Sequence, residues 1–370
     1  MSSTTEDQQV PDTEGTAEEF SGRLFSSALA ALECLSVYAG DRLGWYRSLA
    51  SDGPATPAEL ATRTGTHERY TREWLEQQAV VGILDTDPGD ANRRFSISPV
   101  AAEVLTDDHS LFYLAPLPRL FAAIGAQLPA LLNAFRNGGG VSWAELGADA
   151  REAQADLNRP WFERELGNAL STVPDVHDVL VRPRARIADV GCGAGWSTIA
   201  LARAYPDATV EGIDIDAPSI EMAHHNAASA GVDDRVSFQL ANAAALPGDA
   251  SFDAAFAFEC VHDMSNPVGV LSSIRRSVKS DGLVIVMDEA VGEEFQAPSD
   301  DLERLMYGAS IFVCLPDGMS SQPSAATGTV MRPATLAGYG QQAGYERLEV
   351  LPIEDFAFFR FYRLHQPTTP

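Results

Sequence analysis

Residues 187–195, Ile-Ala-Asp-Val-Gly-Cys-Gly-Ala-Gly, constrain this chain more than any other stretch. A short strand-like run ends in a Gly-x-Gly-x-Gly turn and passes directly into the helical pattern of residues 196–205. Gly191, Gly193 and Gly195 carry no Cβ, so the backbone can turn tightly there and approach a ligand closely. The helix that follows offers unpaired N–H groups and the positive end of its dipole to whatever docks. A dinucleotide-binding loop reads Gly-x-Gly-x-x-Gly. Here Trp196 follows Gly195, and that fingerprint fails.

The neighbouring segments agree with a nucleotide-type site. Residues 209–214 read as a second strand ending in Asp214, 19 residues beyond Gly195. A carboxylate at that strand end can accept both hydroxyls of a ribose. Residues 235–243 read as a third strand and turn, 252–258 as a buried fourth, and 283–287 as a fifth after a turn at Asp281 and Gly282. Residues 345–353 and 356–364 form a C-terminal strand pair rich in aromatics. Strands alternating with helices predict an α/β fold: a Rossmann-like, doubly wound, mostly parallel seven-stranded sheet. Its ligand belongs at the carboxyl ends of the first, second and fourth strands.

In this order the segments resemble the class I S-adenosylmethionine-dependent methyltransferases. The resemblance implies S-adenosyl-L-methionine as cofactor, released as S-adenosyl-L-homocysteine. Asp189 would lie near its amino-acid part, with Gly191, Cys192, Gly193 and Gly195 packed beneath. Asp214 matches the ribose-binding acid and Ile215 the apolar residue beside the adenine. Asn242 and Ala243 match the adenine-facing turn, where the family often has Asp. An amide oxygen can still accept from an adenine amino group. Glu259, just past the fourth strand, completes the cofactor set.

At 370 residues the chain is long enough for two domains. No stretch approaches about 18 uninterrupted apolar residues. The most apolar region, 111–135, is broken by Pro116, Pro118, Arg119, Gln127 and Pro129. Residues 1–19 hold Glu6, Asp7, Asp12, Glu14, Glu18 and Glu19 without a basic cluster or apolar core, which predicts a disordered acidic tail rather than a signal peptide. Cys34, Cys192, Cys260 and Cys314 are widely separated and form no metal-type pairs, so reduced thiols in a cytoplasmic protein are expected. The net charge of −26 repels phosphate backbones and anionic membrane surfaces, which argues against nucleic acid as the main substrate. The same charge also fits a salt-adapted or acidic cytoplasm.

Residues 20–106 read as a winged-helix domain. A long helical pattern over 20–50 is interrupted at Gly40 and Gly44. Thr56 can cap a helix with Pro57 in its first turn, Gly65 ends it, and a second helix runs from His67 to about Val81. A hairpin over 82–85 and 94–97 surrounds Pro88-Gly89-Asp90. The second helix carries Arg69 and Arg72 offset by Glu68, Glu73 and Glu76, so it lacks the basic stripe of a major-groove reader. The layout resembles small-molecule O-methyltransferases, which implies that this domain dimerises and closes over substrate. Residues 107–183 read as a helical connector with a flexible Gly138-Gly139-Gly140 joint, and 184–370 as the methyltransferase domain.

A sulfonium methyl is already an activated electrophile, so aligning the acceptor supplies much of the catalysis. An oxygen acceptor of high pKa also needs its proton removed, a task worth roughly 10²–10⁴ in rate. His262 has the right chemistry, since free imidazole is neutral and basic near pH 7. His262-Asp263-Met264-Ser265 resembles the His-Asp-Trp-Ser run of plant-type small-molecule O-methyltransferases, in which the histidine is the general base. That likeness implies an orienting acid at the end of strand five: Asp288 by spacing, with Glu289 adjacent. Met264 replaces the tryptophan, and the later second acid of that group has no clear counterpart. His262 also fits a helix-cap or cofactor-side role, and strand-end acids often cap the next helix. His224 and His225 diverge by about 100° on a helix, so no shared metal site is expected. Residues 302–332 are an insertion, read as a substrate-pocket wall or lid, with plain surface packing the competing reading.

Together these features predict methyl transfer to a small molecule, on a hydroxyl oxygen with His262 as base. The alternatives are carbon or nitrogen transfer by proximity alone, a ligand-responsive winged-helix regulator, and a methyltransferase-like fold that catalyses a rearrangement or cyclisation.

Overall fold

The computed structural model describes residues 15–88 and 93–367. Most of the expected acidic tail, and Gly89 and Asp90 of the expected hairpin turn, lie outside the described residues. The chain divides into two units, one up to Ala102 together with Phe295–Arg304, the other from Glu103–Glu294 and Leu305 onward.

The first unit opens with the helix Ala17–Arg42. The Thr16 hydroxyl accepts from the Glu19 N–H at 3.2 Å while the Glu19 carboxylate accepts from the Thr16 N–H at 2.6 Å. This reciprocal capping satisfies two orphan donors. Residues 17–19, expected in the tail, therefore form the first helical turn. Nor does Gly40 break this helix. The indole of Trp74 lies so close that a Cβ at Gly40 would sit 2.4 Å from it, so the glycine serves packing. The break falls at Gly44, whose φ of +70° admits the turn into the helix Trp45–Asp52. The helices Pro57–Thr64 and Glu68–Val80 meet at Gly65, and Thr56 and Glu59 form a second capping box. Strands β1 (Leu84–Thr86) and β2 (Phe95–Ile97) make the antiparallel wing. Trp74 packs on Trp45 at 4.6 Å and donates from Nε1 to Ser36 O at 2.9 Å. On the second helix of the motif, Arg69 pairs with Glu73 and Arg72 with Glu68.

The second unit is built on β3 (Arg186–Val190), β4 (Thr209–Asp214), β5 (Val236–Leu240), β6 (Phe252–Phe258), β7 (Val278–Glu289), β8 (Arg347–Val350) and β9 (Phe359–His365). Their order is β5-β4-β3-β6-β7-β9-β8, and β9 runs antiparallel to both neighbours. The chain leaves β3 to lay β4 on one side and later returns to lay β6 on the other. The strand order therefore reverses at β3, the place where such sheets hold ligands. Every residue of β6 is buried, as a central strand covered on both faces requires. The expected turn at Asp281 and Gly282 is absorbed into β7. A Cβ at Gly282 would lie 2.6 Å from Asp253 O, and this close backbone approach coincides with a register shift between Phe252 and Ala254.

Residues 107–183 are no mere connector. Phe162, Leu166, Leu170, Val173, Val176 and Leu180 bury in one core with Ile187, Phe256 and Ile285 of the sheet. Apolar burial at roughly 25 cal/mol per Å² makes that helical stretch part of the sheet's own stability. The glycine run is also tighter than a flexible joint. Val141 N–H donates to Pro316 O, and a Cβ at Gly140 would collide with the same carbonyl at 1.8 Å. The insertion after β7 is largely helical up to Ser320, with a π-turn at Ser310–Cys314.

Candidate active site

The turn after β3 needs its glycines. Gly191 has φ +72°, and a Cβ there would lie 2.7 Å from the Cys260 side chain. Gly195, at φ +80°, is the N-cap of the helix Trp196–Ala204, and a Cβ would meet Ala223 at 2.9 Å. Gly193 is the open member: its added Cβ would meet nothing within 4 Å. Its N–H donates to Asp214 Oδ2 at 2.8 Å, and the Asp216 N–H donates to Asp214 Oδ1 at 2.8 Å. Asp214 is thus oriented from both sides at the end of β4, and burial pushes its pKa up.

Asp189, wholly buried, receives the hydroxyls of Ser197 and Thr198 on Oδ2, each at 2.6 Å. Its Oδ1 is buried without a hydrogen-bond partner, and burial raises the carboxyl to about 6. A buried carboxylate oxygen with no donor is costly unless a ligand supplies one. The ammonium of an amino-acid ligand is such a donor, so the residues present fit the cofactor expected from the sequence. Cys192 is buried behind the turn, its thiol pushed up by burial. Ile215 projects at 75% exposure beside Asp214, an apolar surface open to a flat ring. Asn242 caps the short turn Ala243–Ala245 by accepting from Ala244 N–H at 2.9 Å, while Ala243 is buried beneath. The Asn242 carbonyl keeps a second lone pair for an amino group.

On the other side of β3, Glu259 directly follows β6 with φ +48°, unusual for a residue with a Cβ. Its N–H donates to Met287 O at 2.8 Å, and its carboxylate accepts from Asn158 and more distantly from Gln154. Burial raises Glu259 to about 7, opposed by the charge of His262.

His262, only 2% exposed, sets Nδ1 at 3.0 Å from Asp288 Oδ1 and 3.3 Å from Glu289 Oε2. The structure thus brings together the three residues expected as base and orienting acids. An ionised carboxylate only accepts, so Nδ1 carries a proton toward Asp288, and in the neutral ring Nε2 holds the lone pair. Burial opposes charge on His262, but Glu289 and Asp288 outweigh it and hold its pKa well above the usual value. For Asp288, burial is overcome by His262, which keeps it below the ordinary range. Burial drives Glu289 up instead. The two acids are thus driven in opposite directions, Asp288 toward its ionised form and Glu289 toward its protonated one. These three are also the group, among the described residues, whose ligating atoms lie within 4.8 Å of one another and could hold a metal ion.

Two acids escaped the sequence reading. Burial raises Asp263 to about 8, with His262 opposing and Asp317 adding to the rise. Asp317 itself is raised to about 6 by burial and accepts from Trp143 N–H at 2.7 Å. Only Asp263's place beside His262 could have signalled a role. Asp317 sits in the insertion, far off in sequence. That insertion does border the site: Gly328 N–H donates to His262 O at 2.9 Å, and Thr329 beside it is buried with an unpartnered hydroxyl. His224 packs its ring on Phe238 at 5.2 Å.

Residues 182–335 match the family described as Methyltransferase domain, and residues 30–107 match the Rv2258c-like winged HTH domain. The 27-O-demethylrifamycin SV methyltransferase of Amycolatopsis mediterranei is 38% identical over 109 residues, which are 29% of this chain and 40% of that protein. The O-methyltransferase rstn1 of Aspergillus nomiae is 33% identical over 175 residues, covering 42% of this chain and 73% of that protein. Among solved structures, the mitomycin 7-O-methyltransferase MmcR superposes with a TM-score of 0.72 at 21% identity, covering 95% of this chain and all of that one. That likeness carries the fold. The chain belongs to the class I S-adenosylmethionine-dependent methyltransferases, in the group with an N-terminal winged-helix domain.

Proposed function

We propose that this protein methylates a hydroxyl oxygen of a small molecule, using His262 as general base. The observation that carries this reading is the buried imidazole bonded through Nδ1 to Asp288, an orientation that makes Nε2 the proton acceptor once the ring is neutral. O-methyltransferases among its relatives support the same acceptor class. Asp189, Asp214, Ile215, Asn242, Ala243 and Glu259, with the glycine turn and Cys192, would hold S-adenosylmethionine. When bound, it supplies a methyl group already activated on a sulfonium.

The chain's own residues then divide the work. Asp214 orients the nucleoside, and the unpartnered oxygen of Asp189 takes the ammonium. His262 Nε2 receives the acceptor's hydroxyl proton, Asp288 keeps the ring in the required tautomer, and Glu289 adjusts the imidazole's basicity. A second reading, base-free transfer to nitrogen or carbon, is favoured by the same carboxylates, because they hold His262 toward its cationic form.

For the whole protein we propose a homodimer in the cytoplasm. Phe20, Leu24, Phe25, Leu29, Leu32 and Leu35 are all exposed on the helix Ala17–Arg42, an apolar face that a second copy would cover. The paired arginines of the winged helix speak against DNA as the partner. Cys34, Cys192, Cys260 and Cys314 are free thiols, as a reducing compartment requires. Among the described residues, no helix is long and apolar enough to cross a membrane.

The test is calorimetric titration with S-adenosylhomocysteine, followed by labelled methyl transfer to extracted metabolites with and without a chelator. Saturable heat and label on oxygen, unaffected by chelator, are expected. No heat, or label on carbon or nitrogen alone, overturns the reading. Loss of transfer on chelation would reassign His262, Asp288 and Glu289 as metal ligands.

A further inference from the structure

Arg151, Gln154 and Asn158 share one face of the helix Trp143–Trp161, being three and four residues apart. Arg151 Nε and Nη2 donate to the two oxygens of Asp216 at 2.6 and 3.1 Å. Both side chains are 11% exposed, so this forked pair is largely desolvated. Asp216 is not a bystander. Its Oδ2 caps the helix Ala217–Ala230, accepting from Ser219 N–H at 3.1 Å and Ser219 Oγ at 2.7 Å, and its own N–H donates to Asp214 Oδ1 at 2.8 Å. The guanidinium therefore acts on Asp214 through one intermediate residue. Further along the same face, Gln154 and Asn158 donate to Glu259.

One helix face thus grips residues at the ends of β4 and β6, on either side of the glycine turn. The gripping segment lies between two interruptions. Gly147 breaks the helix with φ +83° and ψ −164°, and a π-turn, Phe162–Leu166, follows Trp161. Such interruptions commonly sit beside functional sites. These side chains add to the backbone bonds that already hold Asp214 and Glu259, and they do so from outside the sheet.

We propose that Arg151 is a positioning residue for the cofactor, fixing Asp214 through Asp216, and that Gln154 and Asn158 do the same for Glu259. The inference rests on the reading that Asp214 and Glu259 hold S-adenosylmethionine. Without Arg151, Asp216 keeps a nearly buried charge with no counter-ion, so its cap and its N–H contact to Asp214 loosen. Binding must then order Asp214 at its own expense, and affinity falls.

The test titrates S-adenosylhomocysteine into full-length wild type, Arg151→Met, Arg151→Lys, Asp216→Asn, the Arg151→Met/Asp216→Asn double variant, and Asp214→Ala. Arg151→Met should weaken binding about tenfold. Arg151→Lys should recover part of that loss, since lysine keeps one ionic contact but not the fork. The double variant should bind no more weakly than the weaker single, because both changes break one chain of contacts. Wild-type affinity in Arg151→Met, or losses that multiply in the double variant, overturns the inference. If Arg151→Met does not fold, Arg151→Lys decides: affinity equal to wild type overturns it, a partial loss supports it. Should Asp214→Ala abolish binding while both Arg151 variants bind normally, only the positioning role falls. Should wild type itself fail to bind, the cofactor reading falls, and this inference with it.

Discussion

The two halves of the site are built differently. Around Asp214 the work is done largely by backbone: three glycines, two N–H donors on one carboxylate, and a helix start, with Asp189 held nearby by two hydroxyls of that helix. Around His262 it is done by side chains from distant segments, with Asp263, Asp288, Glu289 and Asp317 crowding one imidazole. Backbone recognition suits a cofactor shared across a family. A crowd of titratable groups suits chemistry tuned to one acceptor, because each group sets the proton affinity of the next.

The largest expected effect separates the halves outright. His262→Ala should lower turnover by at least about 100-fold while S-adenosylhomocysteine binds normally. Wild-type turnover should rise with pH through a limb lying above 6.5, because the neighbouring carboxylates raise His262 and a base must be neutral to act. A limb at or below 6.5, or a mild loss in the variant, would leave His262 a bystander. Next in size, Asp214→Ala should weaken S-adenosylhomocysteine by roughly tenfold or more, measured by calorimetry, since a charge-assisted bond to a buried acid is worth about 1.5–3 kcal/mol. Unchanged affinity would move the ribose away from β4.

The smallest effect concerns stability. Asp189, Glu259 and Asp263 are raised to about 6, 7 and 8, above their unfolded values. The folded state then holds more protons than the unfolded chain between roughly pH 4 and 8, so stability falls as pH rises through that window. His262, also raised, loses its contribution in the same direction as pH passes its folded value. Asp216, Asp253 and Asp288 are lowered, and their contribution is lost only at more acidic pH. The melting temperature of the ligand-free protein should therefore be a few degrees higher near pH 5.5 than near pH 8, as scanning calorimetry would report. A flat profile would mean that these acids are hydrated.

How much of this was readable in sequence follows the same division. The β3 turn and Asp214 were legible because local backbone demands leave local residues, such as Gly191 and Gly195. The capping of Thr56 and the wing were legible for the same reason. Gly40 misled, since a glycine kept for the Trp74 ring looks like one kept for a turn. Gly282 misled similarly, its need being a neighbouring carbonyl. Residues 107–183 read as a connector because helical periodicity says that a face is buried but not against what. Asp317 and Arg151 could not be found at all, since their hydrogen-bond partners, Trp143 and Asp216, lie 174 and 65 residues away in the chain.

Glu259, in the cofactor-holding role proposed for it, carries a consequence beyond recognition. With φ at +48° its backbone occupies ground that glycine takes without penalty, yet a carboxyl stands there. Durability and selectivity are in conflict at that one α-carbon: relaxing the main chain would delete the acid, and keeping the acid preserves the tension. Sites of this kind place a ceiling on how far thermal hardening of the protein can go before its specificity is lost.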